Sequence, residues 1–192
     1  MSAIQEYHPR LNDSPPGNTV MYHRKFQRHD IGLAETLAKI LGLRDQTLPD
    51  HSFRVSNFAV KLARWLGLPE EQVDIIRRGS LLHDIGKLGI PQDILSKPGL
   101  LTDHENELIQ THPSLGAALL IECPEYRALI PIVLHHHEYF NGRGYPHRIA
   151  GNQIELEARV VSVAEAVDVM LSDSPYRRSL SIPEVIVELR KG

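Results

Sequence analysis

The residues of this chain able to do chemistry are histidines and carboxylates grouped in a few short runs. His83 is followed directly by Asp84, with Lys87 one turn later; His135, His136 and His137 are consecutive; His51 and His112 stand apart, and Glu165 and Asp168 interrupt an otherwise apolar stretch. An imidazole beside a carboxylate at the end of an apolar segment is expensive to bury unless a positive charge joins them, and a divalent cation does that directly. Nitrogen and oxygen donors without a thiolate suit manganese, iron or a similar ion better than a structural zinc. His83 and Asp84 alone would read equally well as a satisfied core histidine or an ion pair at a helix end, so the reading rests on the rest of the set. The chain holds 11 histidines, of which His8, His23, His29, His104 and His147 read as surface residues and His135 as a neighbour of the candidate ligands.

Those side chains need elements to position them. From Ile31, the positions Leu33, Leu37, Ile40 and Leu41 recur at helical spacing, and Gly42 is placed to end that helix. Asp50 can cap a second helix, whose stripe of Val55, Phe58, Leu62 and Trp65 is assigned to the core and closed by Gly67. Pro69 suits the first turn of a third, which runs through Val73, Ile76, Leu81 and Leu82 towards Gly86. Thr102-x-x-Glu105 and Ser181-x-x-Glu184 are capping boxes, and Pro113 and Pro124 stand where first-turn prolines start helices. Val160, Val161, Ala164, Val167, Val169 and Leu171 describe a long, deeply buried helix, preceded by a loop over Asn141–Gly151. No period-2 run of β-branched residues is long enough for a sheet. The expected fold is all-α, a bundle of about seven to nine helices. The expected division is a flexible N-terminal arm over 1–28 and one domain over 29–192. On that reading the candidate donors converge from separate helices.

Composition removes several functional classes. The chain of 192 residues is 42% hydrophobic and 23% charged, a balance that supports a packed core. Its formal charge of −3 gives no global basic excess for long nucleic acid or an anionic membrane. The single Cys123 excludes an intramolecular disulfide and a zinc ribbon, which fits a reducing, cytoplasmic location, and it reads as a small buried hydrophobe. Apolar runs such as Leu129–Leu134 are far short of the ~20 residues of a membrane span. Residues 1–20 have no apolar segment of the kind a secretory signal needs.

The order of the motifs matches a family. His83-Asp84-Ile85-Gly86-Lys87 with Ile90-Pro91, then His112-Pro113, then His136-His137-Glu138, then Gly142-x-Gly144-Tyr145-Pro146, then Ala158-Arg159, resembles the HD-GYP phosphodiesterases, a branch of the HD superfamily of metal-dependent phosphohydrolases. The resemblance covers roughly residues 46–190. It implies two divalent metal ions, iron or manganese first and nickel, cobalt or zinc next, held by His51, His83, Asp84, His112, His136, His137 and Glu165. It also implies that Lys87 sits over the attacking water and the scissile phosphate, and that Asp84 takes part in catalysis. Arg177, Tyr145, Gly144 and Pro146 are the implied substrate contacts. The implied reaction is hydrolysis of the cyclic dinucleotide cyclic di-GMP to linear pGpG or GMP. Further partners implied are a diguanylate cyclase or another signalling domain, and a second copy in a homodimer. Two other readings stay open: a degenerate module that binds the dinucleotide or a cyclase without turnover, and a phosphohydrolase of another nucleotide. Tyr145 either meets a guanine or a partner protein, or anchors its loop. Asp168 either braces an imidazole N–H from behind or pairs with Arg159 or Arg177.

The chain departs from the family pattern at several positions. Thr47 stands where trinuclear members carry a Glu, which favours two ions over three. Asn141 replaces an Asp before the Gly-Tyr-Pro loop, and Ser174 replaces the first Arg of a later Arg-Pro-Tyr-Arg segment, removing a phosphate contact. The chain closes at Leu189–Gly192, where family domains usually continue through a short stretch with Phe-Asp-Pro, so either that closing segment is absent or the sequence is trimmed before it. Glu165 stands where the family has Asp, one methylene shorter, so a bound ion is expected to be displaced or held less tightly. Glu165→Asp should therefore preserve or improve metal loading, measured by metal analysis after saturation and desalting. A sharp loss in that variant would mean that the site is built around the longer side chain.

Overall fold

Helix α2 (Leu48–Trp65) turns Ser52, Val55, Ser56, Ala59 and Ala63 inward. That face is small enough for α3 (Glu70–Leu82) and α8 (Leu156–Leu171) to pack closely against it. The computed structural model describes residues 23–43, 48–173 and 178–191; these hold nine α-helices, one of them a single turn, and no strand. The remaining helices are α1 (His23–Gly42), α4 (Gln92–Leu95), α5 (Asp103–Ile109), α6 (His112–Ile121), α7 (Ile130–His135) and α9 (Ile182–Leu189). Three 3₁₀ turns join them, at Ile85–Gly89, Pro124–Leu129 and Gly151–Gln153. No helix is long and apolar enough to cross a membrane.

Helix α3 runs between two apolar clusters. Val73 and Ile76 join Val55, Ala59 and Ala63 of α2, Ile132 of α7, and Val160, Val161 and Ala164 of α8. Leu81 and Leu82 join Ala34 and Ala38 of α1, Leu120 of α6, and Leu129 and Val133. Its one buried serine is satisfied within the helix, Ser80 Oγ donating to the Ile76 carbonyl at 2.6 Å, and α2 is tied to it by Ser56 Oγ, which donates to the Arg77 carbonyl at 3.1 Å. The end of α3, and whatever follows it, is thereby held from two sides.

Both expected capping boxes are present. Glu105 accepts from the Thr102 N–H at 2.7 Å while its own N–H donates to Thr102 Oγ1 at 3.3 Å, and Glu184 accepts from the Ser181 N–H at 2.7 Å. Helix α1 begins at His23, ahead of Ile31, over a stretch whose single large apolar residue, Phe26, gives no helical period to mark it in the sequence. Asp50 lies within the first turn of α2 rather than capping it, where its charge still favours the helix dipole. Trp65, assigned to the core, is 82% exposed and Phe58 only half-buried, since the inward line of α2 steps through small residues. Val169 is likewise 51% exposed, and α8 instead buries Ala158, Val161, Ala164 and the polar Asp168.

The contact that sets the geometry of the centre is made by Gly86, in the turn after α3. A Cβ there would overlap the carbonyl of His112 and the amide of Gly116, both backbone atoms of α6. Gly116 in turn meets the Val133 side chain and the Gly86 amide. Gly86→Ala should force α6 away from the turn, costing about 1–3 kcal/mol as an overpacked site. Urea denaturation should show the lower midpoint, and the variant should take up less metal, because His112 moves with its helix.

Candidate metal centre

His83 and Asp84 follow the last turn of α3, His112 is the first residue of α6, His136 and His137 follow α7, His51 sits in the second turn of α2, and Glu165 is midway along α8. Five helices thus deliver these side chains to one place. His83, Asp84, His112 and His136 are buried to within 1% of complete. Donor atoms of Asp84, His112, His136 and His137 lie within 4.8 Å of one another, as do those of His51, His83 and Asp84, and those of His83, His136 and Glu165. Asp84 belongs to two of these groups and is placed to be shared.

The ring orientations are set by the helices themselves. His83 Nδ1 lies 2.6 Å from the Ser80 carbonyl, His112 Nδ1 2.7 Å from that of Ile109, and His136 Nδ1 2.9 Å from that of Val133, each three residues back. A carbonyl has no proton to give, so each Nδ1 carries the hydrogen and each Nε2 presents a lone pair inward. His112 Nε2 and His136 Nε2 face each other at 3.2 Å, two acceptors with no proton between them. His83 Nε2 and Asp84 Oδ1 are buried without a hydrogen-bond partner. His112 Nε2 lies 3.3 Å from Asp84 Oδ1, and His137 Nε2 lies 3.9 Å from Glu165 Oε1.

Protons do not relieve this crowding at neutral pH. Burial pulls the His83 imidazole down to about 4 and the His137 imidazole down to about 3, with neighbouring His112 adding to the latter. His112 is lowered by burial as well, and His136 well below the ordinary range by burial and its histidine neighbours. Burial alone would raise the Asp84 carboxyl, but the Lys87 ammonium and the facing imidazoles outweigh it and hold it well below the usual range. Burial, reinforced by Asp84, pushes Glu165 up to about 8 against the opposing pull of Lys87. A pocket of converging neutral nitrogens and carboxylate oxygens, with orphaned acceptors, fits a divalent cation by its donor chemistry.

Around these donors lie residues of other kinds. Lys87 Nζ donates to Asp84 Oδ2 at 2.7 Å, and its side chain is 20% exposed, so the ammonium stands at the edge of the cluster. Tyr145 stacks on the His137 ring at 4.7 Å and meets the His112 ring edge-on at 6.4 Å. Gly144 is buried against the backbone of His137–Tyr139, where any Cβ would overlap it, and the Tyr145 N–H donates to the His137 carbonyl at 3.2 Å. Pro146 follows in the same loop, half-buried. His135 stays outside, as expected: its Nδ1 pairs with Glu155 at 2.7 Å and its Nε2 with exposed His147 at 3.2 Å. Arg177, like Ser174 and Thr47, lies outside the described residues.

Of the two readings of Asp168, the structure bears out the brace behind an imidazole N–H; Arg159 reaches Asn152 at 3.3 Å, and Arg177 lies outside the described residues. Asp168 Oδ2 accepts from His51 Nδ1 at 2.7 Å, and Arg54 forks onto the carboxylate with Nε at 2.6 Å from Oδ1 and Nη2 at 3.0 Å from Oδ2. Arg54 was not singled out from the sequence, although its spacing of three from His51 places both on one side of α2. In the sequence Glu138 stands only as the residue that closes the His136-His137-Glu138 run. Its buried Oε1 accepts the N–H groups of His147 at 2.6 Å and Arg148 at 2.9 Å, which ties the Gly-Tyr-Pro loop to the ligand pair.

Residues 35–192 match a family model described as HD domain. The chain is 43% identical over 137 residues to a cyclic di-GMP phosphodiesterase, PA4108, of Pseudomonas aeruginosa, covering 71% of this chain and 33% of that protein. It is 31% identical over 160 residues to 3'3'-cGAMP-specific phosphodiesterase 3 of Vibrio cholerae serotype O1, covering 83% of this chain and 35% of that protein. The chain thus spans about a third of the length of these relatives. The fold is similar to the HD domain of the L. monocytogenes phosphodiesterase PgpH, solved in complex with cyclic-di-AMP, with a TM-score of 0.62 at 22% identity over 81% of each chain.

These opposing shifts predict a pH optimum of stability for the metal-free protein. His83 titrates near 4 when folded and near 6.5 when unfolded, so its contribution is complete above about 6.5 and lost as pH falls towards 4. His136 and His137 act in the same direction. Glu165 acts oppositely: its folded value of about 8 exceeds the ordinary 4.5, so its contribution is complete below 4.5 and lost as pH rises through 8. Melting temperatures in EDTA should therefore peak near pH 6.5 and fall on both sides. Glu165→Gln should flatten the alkaline limb and steepen the rise between pH 4.5 and 6.5.

Proposed function

Because the chain belongs to the HD domain family, and to its HD-GYP branch, we propose that it is a metal-dependent phosphodiesterase that hydrolyses a cyclic dinucleotide, cyclic di-GMP in the first place, to linear pGpG or GMP. The observation that carries this reading is the set of inward, protonless Nε2 atoms and the orphaned Asp84 oxygen beside the Lys87 ammonium. His51, His83 and Asp84 would hold one ion, and Asp84, His112, His136 and His137 the other, with Glu165 in reach through the group it forms with His83 and His136. Iron or manganese suits these donors best. Divalent ions bound there supply a hydroxide at neutral pH and positive charge against the phosphate oxygens.

The chain's own residues then have distinct tasks. The backbone carbonyls of Ser80, Ile109 and Val133 keep three imidazoles in the tautomer that can ligate. Lys87, the cation nearest Asp84, places its ammonium beside the scissile phosphate and stabilises charge building on its oxygens. Tyr145, with Gly144 and Pro146 shaping its loop, presents a ring edge to the incoming dinucleotide, and Arg177 is the proposed phosphate contact beyond it. A binding module without turnover is the second reading, favoured by Glu165, Asn141 and Ser174, which depart from the family pattern at a ligand and around the substrate.

The two readings are separated by Lys87→Ala. In an enzyme, metal content should stay near that of the unaltered protein while turnover of cyclic di-GMP falls by ~10²–10³, the usual cost of a lost transition-state charge contact. Product analysis by anion-exchange chromatography gives the rate, and metal analysis the loading. An unaltered protein that retains cyclic di-GMP for hours with manganese or iron and yields no linear product would favour the binding module.

A further inference from the structure

The cluster histidines are not held alike. His83, His112 and His136 each donate Nδ1–H to a neutral carbonyl of their own helical turn. His51 donates instead to a carboxylate carried by another helix, Asp168 of α8, which is 2% exposed. Asp168 has no freedom to turn away, because Arg54 grips both of its oxygens and also reaches Ser172 Oγ at 3.4 Å. Helix α8 therefore delivers Glu165 into the donor cluster and, one turn later, Asp168 behind it.

We propose that Asp168, clamped by Arg54, is a positioning residue that sets the affinity of the ion bound by His51 and leaves the ion bound by His112, His136 and His137 unaffected. This rests on the two-ion reading above and adds an inequivalence between the sites. A carboxylate acceptor makes an imidazole a stronger donor through its other nitrogen and fixes its orientation, effects usually felt as a ~10–100-fold change in metal affinity. The selectivity follows from geometry: the hydrogen bonds of Asp168 go to His51 and Arg54, whereas the Nδ1 partners of His112 and His136 are carbonyls of Ile109 and Val133. His51 depends on this brace more than the others, since its ring is anchored across the bundle rather than to its own turn.

Manganese titration followed by calorimetry, with electron paramagnetic resonance of the loaded samples, tests the proposal without an activity assay. The unaltered protein should bind two Mn²⁺ and show the spectrum of an exchange-coupled pair. Asp168→Ala should weaken one site by ~10–100-fold and leave the other within about twofold, so that at limiting manganese the spectrum becomes that of an isolated ion. Asp168→Asn, which keeps the volume and an acceptor oxygen but not the charge, should fall between, and it reads the same effect if the alanine variant does not fold. Equal weakening of both sites, or two sites unchanged in a folded variant, would overturn the proposal while leaving the two-ion reading intact. An unaltered protein that takes up no manganese would overturn both.

Discussion

Everything at this centre depends on three imidazoles whose outward nitrogens are already committed. Once Nδ1 of His83, His112 and His136 has donated to the turn behind it, the inward nitrogens can only accept, and the protein has placed them against one another and against Asp84. Burial makes protonation a poor remedy, because it disfavours the imidazolium at every one of these rings. The arrangement is unfavourable for the polypeptide alone and favourable for a cation, and the two apolar clusters flanking α3 supply the stability that holds it in place.

That demand explains the small residues around the site. Donors on five helices meet only if the helices approach closely, and they do so at Gly86 against the backbone of α6, at Gly116 against Val133, and at Gly79 against Ile132. On α2 the same purpose is served by Ala59 and Ala63, which let α3 and α8 settle on a shallow surface. Close backbone contacts leave few alternative positions for His112 relative to His83 and Asp84, which is the rigidity a preorganised site requires.

The identity of the donors was legible in the sequence because the motifs are short, ordered and rich in side chains with few structural uses. The helices were legible where large apolar residues or caps mark them, as in α3, α5 and α9. Trp65 was misplaced because a period of bulky residues says nothing about which face a neighbour needs, and α2 buries its small ones. The partner of Asp168 was out of reach for another reason: the hydrogen bond to His51 and the fork from Arg54 join residues more than a hundred positions apart, a pairing only the packing of α8 on α2 creates. Glu138 left no trace beyond its motif, since its task is to bind backbone N–H groups, which every residue but proline offers.

The loop over the centre is bound to it as tightly as the ligands are. His137 faces the donor cluster while its neighbour Glu138 holds the His147 and Arg148 amides, and Tyr145 lies flat on the His137 ring. A shift of the loop must therefore move a candidate ligand, and a shift of the ligand must move the loop. A centre directed at a phosphodiester meets the same group in every cyclic dinucleotide, so it cannot tell guanine from adenine. Discrimination between bases then falls to groups outside the donor cluster. Tyr145 is the nearest aromatic among the described residues, and its stacking on His137 couples any group that moves the tyrosine to the position of a candidate ligand.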